Sequence, residues 1–388
     1  MPSLPELFDR LRREPDIDAP ELQAFDATDE LLLGTAHELI GSGLQVPEGT
    51  LVTIGDSHGA LTLGAATLLG ARGIRTHQDA LLGERALVAN AGRLGLADTF
   101  TSHPLDKSLV TGARLVLVQV PRGLAALDEL ADLVARFAHP EVVLLAGGRV
   151  KHMTRAMNEV LGRSFTAVTA GLAHRKSRVL TARGAKREIA LAAPRFPVWG
   201  ADQDLAFQIA AFGATFGGAT LDHGSRLLLQ TLDEQPPAAP QHVLDLGCGN
   251  GVLATAAALR WPNAEVIATD QSAAAVAATT LTATRAGVAD RVRVQRADAT
   301  EQVPDAWADL VLLNPPFHLG STVHAGVAHR LIASCARVLA PGGELRLVFN
   351  SHLRYRSVAT RLVGPASQLA RNRHFTVLSV GRRTHGVS

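Results

Sequence analysis

Short apolar runs alternate with longer amphipathic stretches along both halves of the chain. This alternation is typical of βαβ units, in which helices connect parallel strands. In the second half it predicts the helices Val252–Arg260 and Ala273–Ala286. It predicts strands at His242–Leu246, Glu265–Thr269, Val292–Gln295, Ala308–Leu313 and Leu345–Asn350. A turn at Pro341–Gly343 is expected before the last strand. The predicted fold class is therefore α/β, with doubly wound, mostly parallel sheets.

The chain repeats itself at an offset of 192 residues. Segment 93–98 falls on segment 285–290 with four identical residues, and the glycine turns after the first predicted strand of each half coincide. A repeat of this length indicates a duplicated domain and not a solenoid. We therefore predict two tandem Rossmann-like domains, residues 1–190 and 191–388.

The two copies differ at the positions that follow predicted strands, which is where α/β folds bind ligands. The residues that differ are Asp245 against Thr53, Gly249 against Ser57, Asp270 against Gln78 and Asn314 against Gln119. Since the second copy retains the acids, the glycine and the asparagine, we predict that it carries the chemistry. The first copy is expected to be degenerate, keeping the fold without catalytic residues.

Composition excludes several classes of protein. Two cysteines in 388 residues, Cys248 and Cys335, cannot form a disulfide scaffold or a CxxC-type zinc site, and no metal site is expected. Cys248 has no recognisable base near it in the sequence, so a nucleophilic role is disfavoured. No apolar run is long enough to span a membrane. The first residues lack the apolar core of a signal peptide, which predicts a cytoplasmic protein.

Charge is distributed unevenly. Residues 1–56 carry a net charge of −9, residues 149–195 carry +9, and eight arginines but no acid follow Glu344. Basic blocks without acidic counterparts favour a polyanionic partner such as nucleic acid. The alternative is that these are solvated faces paired with the acidic N-terminal block. Candidate RNA contacts are Lys176, Arg178, Arg354, Arg371 and Arg373.

A glycine-rich turn follows the strand His242–Leu246 and contains Gly247, Gly249 and Gly251. Its spacing differs from the dinucleotide fingerprint G-x-G-x-x-G. Asp245 precedes it, and a carboxylate there repels a pyrophosphate but suits an ammonium group. Asp270 ends the next strand, where it can accept hydrogen bonds from a ribose diol, and Asp298 can accept one from an adenine amino group. Together these acids favour S-adenosylmethionine as the cofactor.

A second motif, Asn314-Pro315-Pro316-Phe317, follows the strand Ala308–Leu313. The side-chain carbonyl of Asn314 and the backbone carbonyl of Pro315 can accept the two hydrogens of an exocyclic amine and direct its lone pair at a methyl group. The prolines fix these acceptors in advance, and Phe317 offers a face for a base taken out of its helix. Water is favoured over His318 as the final proton acceptor.

These motifs resemble those of class I methyltransferases that act on planar amino groups. A degenerate half joined to a catalytic half is similar to the RsmC/RlmG group of ribosomal RNA guanine-N2 methyltransferases. Segment 212–232 resembles the segment that those enzymes carry before the glycine-rich motif; the matching positions are Phe216, Leu221, Asp222, Gly224 and Ser225. Segments 22–33 and 350–355 resemble the large-subunit, RlmG-type branch.

The resemblance implies methylation of the N2 amino group of a guanine in ribosomal RNA, most closely 23S rRNA, by S-adenosylmethionine. It implies that residues 314–317 hold the guanine. The first half would be an RNA-positioning module, and the partner would be ribosomal RNA or a precursor of the ribosomal subunit. Separately, the two halves of one chain can supply what other methyltransferases obtain by dimerising, so we expect a monomer. The implied cofactor-binding set contains the acids and glycines named above together with Phe216, Asp222, Gln271, Ala299 and Asn314.

Three alternatives remain open from the sequence. The acceptor could be a guanine in 16S rRNA. It could be an adenine amino group or a protein glutamine amide, since similar motifs serve both chemistries, although the duplicated half argues against the glutamine enzymes. The chain could also be a non-enzymatic RNA-binding protein on a methyltransferase scaffold. The intact Asp245, Asp270 and Asn314 argue against that last reading.

Overall fold

The computed structural model of the chain describes residues 3–16, 22–315 and 322–383. Two compact units make up the chain, Met1–Phe196 and Pro197–Ser388. This division falls a few residues after the position expected from the sequence. Within the described ranges every helix is too short or too polar to cross a membrane.

Unit 1 is a seven-stranded sheet with helices on both faces. Its helices are α1 Leu4–Arg10, α2 Ala27–Gly41, α3 Ala60–Leu68, α4 Leu81–Leu94, α5 Lys107–Val110, α6 Leu124–Phe137 and α7 Arg155–Ser164. Its strands are β1 Leu51–Ile54, β2 Ile74–His77, β3 Phe100–Ser102, β4 Leu115–Gln119, β5 Val143–Arg149, β6 Phe165–Ala170 and β7 Ser177–Ala185.

Unit 2 contains a small antiparallel pair, β8 Val198–Gly200 and β9 Ile209–Ala211, and a second seven-stranded sheet. Its helices are α8 His223–Glu234, α9 Val252–Arg260, α10 Ala273–Arg285, α11 Thr322–Val338 and α12 Arg356–Leu362. The strands of the large sheet are β10 His242–Leu246, β11 Glu265–Asp270, β12 Val292–Arg296, β13 Ala308–Leu313, β14 Leu339–Asn350, β15 Ala366–Arg371 and β16 Phe375–Gly381.

Both large sheets have the same topology, which confirms the predicted tandem α/β fold. The strand order is β3-β2-β1-β4-β5-β7-β6 in unit 1 and β12-β11-β10-β13-β14-β16-β15 in unit 2. In each sheet one strand, β7 or β16, runs antiparallel to its two neighbours, and the other pairings are parallel. The first strand of each copy is central, so the loop that follows it lies at the point where the strand order reverses, a common ligand site.

The central strands are apolar on both faces because helices cover both faces of a mostly parallel sheet. In β1, Val52 belongs to the hydrophobic cluster on one face and Leu51 to the cluster on the other. In β10, Leu244 and Val243 divide in the same way. Helices therefore pack on each side of these strands.

One predicted feature is wrong. The turn expected at Pro341–Gly343 lies inside β14, which begins at Leu339 and not at Leu345. The register against β13 shifts between Ala308 and Leu310, so the extra residues form an irregularity within one strand. Gly342 has φ +81°, a left-handed conformation that lets the backbone bulge without breaking the pairing.

Candidate active site

The two sequence motifs of unit 2 meet at one edge of its sheet. Strands β10 and β13 are parallel neighbours, and their register pairs Leu246 with Leu313. Gly247 and Asn314 are therefore the next residues along two adjacent strands, which lie about 4.8 Å apart. The expected proximity of the glycine turn and Asn314 is thus present. Pro316, Phe317 and His318 lie outside the described residues.

The glycine turn between β10 and α9 leaves room for a ligand. Gly247, Gly249 and Gly251 have φ values of +80°, +55° and +79°. A Cβ on Gly247 or Gly249 would meet no atom within 4 Å, so space lies open beside the backbone there. A Cβ on Gly251 would lie 2.7 Å from the Cα of Thr279, so this glycine allows α10 to pack against the turn.

Asp245 is a buried acid beneath this turn, with 1% of its surface exposed. Its Oδ2 accepts a hydrogen bond from the Ala254 amide at 2.8 Å, and its Oδ1 has no hydrogen-bond partner within the described part of the chain. Burial raises the pKa of Asp245 to about 7; the Ala254 bond opposes this rise, and the charge of Asp270 adds to it. A cationic group of a ligand would relieve this unbalanced site.

Asp270 ends β11 and lies against the same turn. Its Oδ2 accepts a hydrogen bond from the Gly249 amide at 3.1 Å, and its Oδ1 accepts one from the Ser272 amide at 2.9 Å. Gln271, the neighbouring candidate, accepts a bond from Arg296 Nε through its backbone carbonyl. The buried acid and the strand-end acid thus share one glycine turn, as the expected methionine and ribose ends of S-adenosylmethionine require.

Asp298 has a partner that the sequence did not reveal. Arg330 forms a two-bonded ion pair with it, at 3.1 Å from Nη1 to Oδ2 and 3.0 Å from Nη2 to Oδ1. The next residue, Ala299, has φ +51°, a left-handed conformation that is unfavourable for residues other than glycine. A backbone held in this way at a sheet edge is typical of a ligand site. Arg330, on α11, could not be found because nothing in the sequence relates it to Asp298.

Asn314 is held by the beginning of α8. Its Nδ2 donates hydrogen bonds to Asp222 Oδ1 at 3.1 Å and to Ser225 Oγ at 3.0 Å. Because both amide hydrogens have acceptors, the remaining atom, Oδ1, is an acceptor of fixed direction. That atom is buried and has no hydrogen-bond partner among the residues described. An unsatisfied buried acceptor costs about 1–3 kcal/mol, so it is suited to a donor on a substrate.

The resemblance places Asp222 in the cofactor-binding set, and the structure shows that its side chain also contacts the start of α8 and Asn314. It caps α8 by accepting the Gly224 and Ser225 amides at 2.9 and 3.1 Å, and the same oxygen accepts from Asn314. These contacts make it a positioning residue for Asn314, besides its expected role at the cofactor. The sequence marks Ser225 only as a position that matches the family segment before the glycine-rich motif. Its hydrogen bond to Asn314 could not be predicted, because the two residues are 89 positions apart in the chain.

The segment before α8 lies along the glycine turn. Asn250 Nδ2 donates to the carbonyls of Gly218 and Thr220, both at 2.9 Å. Thr215 Oγ1 donates to the Ala274 carbonyl at 3.3 Å at the start of α10. Phe216, the aromatic candidate of this segment, is 54% exposed. These contacts place residues 215–220 beside the turn, where they can cover a ligand bound there.

The equivalent region of unit 1 lacks acids at the positions that match Asp245 and Asp270. Thr53 replaces Asp245 and bonds to Thr62 through the two hydroxyls at 2.7 Å. The Thr62 amide, which aligns with that of Ala254, instead donates to Asp56 at 2.7 Å. At the end of β4, Gln119 Nε2 donates to Asp29 in the first turn of α2 at 2.6 Å, as Asn314 does to Ser225. Unit 1 thus keeps the amide contact but not the acids of the cofactor site.

Neither cysteine is a nucleophile in this structure. Burial raises the pKa of the Cys248 thiol well above its ordinary value, with further contributions from the charges of Asp270 and Asp245. Burial raises the pKa of Cys335 to about 12, in the core of unit 2. Both thiols are therefore protonated at neutral pH and unreactive. The described residues contain no group of three or more His, Cys, Asp or Glu arranged to hold a metal ion.

The strand order with its reversed β16, the glycine turn over two acids and the asparagine at the end of β13 define a class I S-adenosylmethionine-dependent methyltransferase. Residues 206–379 match the family model described as methyltransferase small domain, and residues 3–186 match that described as RLMG N-terminal domain. The chain belongs to the ribosomal RNA large subunit methyltransferase G family, as its curated relatives show.

The relatives of that name match almost end to end. The enzyme of Pseudomonas syringae pv. syringae is 35% identical over 95% of this chain and 96% of its own. That of Streptomyces coelicolor is 33% identical over 95% and 96%. Among solved structures, a 16S rRNA N2 G1207 methyltransferase (RsmC) of T. thermophilus, in complex with AdoMet and guanosine, covers 96% of this chain and 100% of its own, with a TM-score of 0.74 and 20% identity. That similarity supports the shared two-domain fold.

The raised pKa of Asp245 predicts that cofactor affinity depends on pH. A cationic ligand favours the ionised carboxylate. With a pKa of about 7, the Asp245 carboxyl is protonated in half of the free protein molecules near pH 7. The dissociation constant of S-adenosylmethionine should therefore rise as pH falls below 7, by up to tenfold per pH unit, and level off above it. Calorimetric titration from pH 5.5 to 8.5 measures this. Asp245→Asn should bind weakly with a flat profile, and an unchanged slope in that variant would contradict the assignment.

Proposed function

We propose that unit 2 transfers a methyl group from S-adenosylmethionine to the exocyclic N2 amino group of a guanine in 23S rRNA. The observation that carries this proposal is the buried Oδ1 of Asn314, which has no hydrogen-bond partner among the described residues. Asp222 and Ser225 fix this side chain beside the glycine turn. The large-subunit name of the curated relatives supports the 23S branch, and the guanosine in the complex of the structural neighbour supports the acceptor.

The residues of the site perform two tasks in this reaction: they bind the cofactor and they orient the amine. Asp245 and Asp270 bind the cofactor, which when bound supplies an electrophilic methyl group on a sulfonium. Asn314 Oδ1 and the Pro315 carbonyl accept hydrogen bonds from the two N–H groups of the amine, which reduces conjugation of the nitrogen lone pair with the ring. Held in this way, the amine nitrogen would be aimed at the methyl group that a bound S-adenosylmethionine would supply, and the proton that the amine loses would pass to water. Alignment by fixed acceptors is the main source of acceleration.

A tritiated-methyl transfer assay tests the proposal against its alternatives. The substrates are undermodified ribosomal subunits, naked 23S rRNA, naked 16S rRNA and a release factor. We expect label in 23S rRNA or in the large subunit, recovered as N2-methylguanosine after digestion. Label in 16S rRNA would move the enzyme to the other branch, and label in adenosine or in protein would overturn the acceptor. No label in any substrate would support a non-enzymatic protein.

Residues 1–190 are proposed to position the RNA, while residues 191–388 carry catalysis. Unit 1 lacks the acids that would bind a cofactor, and it carries the basic stretch 149–195. Acids pair with some of these cations, among them Arg163 with Asp128 at 3.2 Å and Arg175 with Glu30 at 2.6 Å. Lys176 and Arg178, named from the sequence, lie beside the exposed turn before β7 and at its start. Phosphate contacts of this kind position RNA without reading its sequence.

Charge removal in unit 1 is expected to weaken RNA binding selectively. Lys151→Gln with Lys176→Gln should raise the dissociation constant for 23S rRNA several-fold at low salt and leave that for S-adenosylmethionine unchanged. Filter binding and calorimetry measure the two constants. Lys107→Gln, which removes a lysine outside the basic stretch, is the matched control. Equal RNA affinity in the double variant and the wild type would count against the positioning role.

The proposed function extends to the oligomeric state, the form of the RNA substrate and the cellular location. A chain with two tandem copies holds two methyltransferase folds without dimerisation, which supports action as a monomer. The substrate is ribosomal RNA or a precursor of the large subunit, and the site of action is the cytoplasm, where such precursors mature. Sedimentation at micromolar concentration tests the monomer, with a dimer mass as the contrary result.

A further inference from the structure

A second concave surface lies in unit 2, between α12 and the strand pair β15–β16. It is an open cleft with a volume of about 850 Å³. Five arginines line it and are called here the arginine cleft: Arg354, Arg356, Arg361, Arg371 and Arg383. All five are exposed, and they come from four separate parts of the fold: the loop after β14, helix α12, the end of β15 and the segment after β16.

The charge of this cleft is not balanced by acids of its own segment. No Asp or Glu follows Glu344 in the sequence. Arg356 and Arg383 donate to backbone carbonyls, of Ala366 at 3.2 Å and Thr360 at 3.1 Å, and these bonds fix the directions of the two side chains without neutralising their charges. Elsewhere in unit 2 arginines pair with acids, as Arg226 does with Asp202 at 2.6 Å. Several cations around one concavity favour binding of a polyanion.

The platform under these arginines is rigid. Arg354 has φ +52°, a left-handed conformation that a long side chain adopts only when its surroundings hold it. The next residue, Tyr355, is buried, and its ring lies 5.5 Å from that of Phe349 and 5.6 Å from that of His329. A tether between Ser351 Oγ and Thr376 Oγ1, 2.9 Å long, joins the loop to β16. Arg354 is therefore presented by a fixed loop.

The cleft begins at the edge of the sheet where the methyl acceptor would bind. Strand β14 is the parallel neighbour of β13, which ends before Asn314, and β14 itself ends at Asn350. Asn350 pairs with the start of β16, and Arg371 pairs with Thr376 one residue further on. Arg371 thus stands at the active-site edge. At about 3.3 Å per residue, β15 carries the cleft roughly 17 Å away from that edge.

We propose that the arginine cleft binds the sugar–phosphate backbone of the RNA strand that flanks the target guanine. This inference rests on the proposed function. Guanidinium groups match phosphate oxygens in fork geometry, and a cleft that extends roughly 17 Å from the active-site edge is longer than a single nucleotide of an RNA strand. Such contacts fix the register of the strand and leave the choice of base to the active site.

The test is the salt dependence of RNA binding. In Arg361→Gln with Arg371→Gln, the slope of log K against log salt for a 23S rRNA substrate should become shallower by about 1.4–1.8, since each lost phosphate contact removes about 0.7–0.9. The KM for RNA should rise at least tenfold at 150 mM salt, while kcat at saturating RNA and the affinity for S-adenosylmethionine stay as in the wild type. Arg361→Lys with Arg371→Lys should restore most of the slope.

Arg293→Gln is the matched control, because it removes an exposed arginine from β12, at the opposite edge of the sheet. It should leave slope and KM unchanged. If the wild type is active and the Gln double variant keeps the wild-type slope and KM, the proposed role of the arginine cleft is wrong and the proposed function stands. A wild type that neither binds nor methylates ribosomal RNA would overturn the proposed function, and the cleft with it. An equal loss of the salt slope in the Gln and Lys variants would show that packing and not charge is affected, which also contradicts the proposal.

Discussion

Replacing Asn314 by alanine is expected to lower kcat for methyl transfer by about 10²–10³-fold and to leave the dissociation constant of S-adenosylmethionine nearly unchanged. The loss of one preorganised acceptor has an effect of this size. Asn314 Oδ1 is buried and unpaired among the described residues, while its Nδ2 is bound by Asp222 and Ser225. The two bonds hold the amide in one orientation, and its carbonyl oxygen has no partner in the described part of the chain, so it can accept a hydrogen bond from the amine. Single-turnover kinetics with labelled cofactor measure the chemical step directly.

The duplicated fold supplies the control for this experiment. Gln119 holds the equivalent strand-end position in unit 1, where its Nε2 donates to Asp29 at 2.6 Å. Gln119→Ala removes an amide from the same structural context and should leave kcat within about twofold. Ser225→Ala should give an intermediate loss of kcat, because Asn314 would keep one of its two anchors. Wild-type kcat in Asn314→Ala would show that the amine is oriented by other groups.

Replacing Asp270 by alanine is expected to weaken S-adenosylmethionine binding by about 10- to 100-fold, as measured by calorimetry. Hydrogen bonds to a charged group contribute about 1.5–3 kcal/mol, and each 1.4 kcal/mol is a factor of ten in affinity. Asp270 also accepts the amides of Gly249 and Ser272, so its loss affects the turn as well as any diol bound to it. The rate at saturating cofactor should fall far less than in Asn314→Ala.

Two further variants separate these contributions. Asp270→Asn removes the charge but keeps one of the two oxygens that accept the Gly249 and Ser272 amides. It therefore disturbs the turn less than alanine does, and an equally large loss of affinity in both variants would assign that loss to the missing charge. Gln78→Ala, at the matching position of unit 1, should leave cofactor affinity unchanged. If Asp270→Ala bound S-adenosylmethionine as tightly as the wild type, this acid would have only a structural role in the glycine turn.

Much of the fold was predictable because strand and helix periodicity is a local property of the sequence. The strand Ala308–Leu313 and the helix Val252–Arg260 have their predicted bounds. The repeat predicted a common topology for both halves, which the strand orders confirm. The turn at Pro341–Gly343 was misjudged because Pro and Gly mark both turns and bulges, and only the pairing with β13 distinguishes them.

Sequence alone determined which residues end the parallel strands of unit 2, because apolar runs and the polar residues after them are adjacent in the chain. It therefore determined that Asp245, Asp270 and Asn314 belong to one sheet edge. Only the tertiary structure decided the contacts that give these residues their properties: the burial that raises the pKa of Asp245 to about 7, the Asp222–Asn314 bond, and the Arg330–Asp298 pair. Such contacts join residues far apart in the chain, and their distances depend on packing that no local pattern encodes.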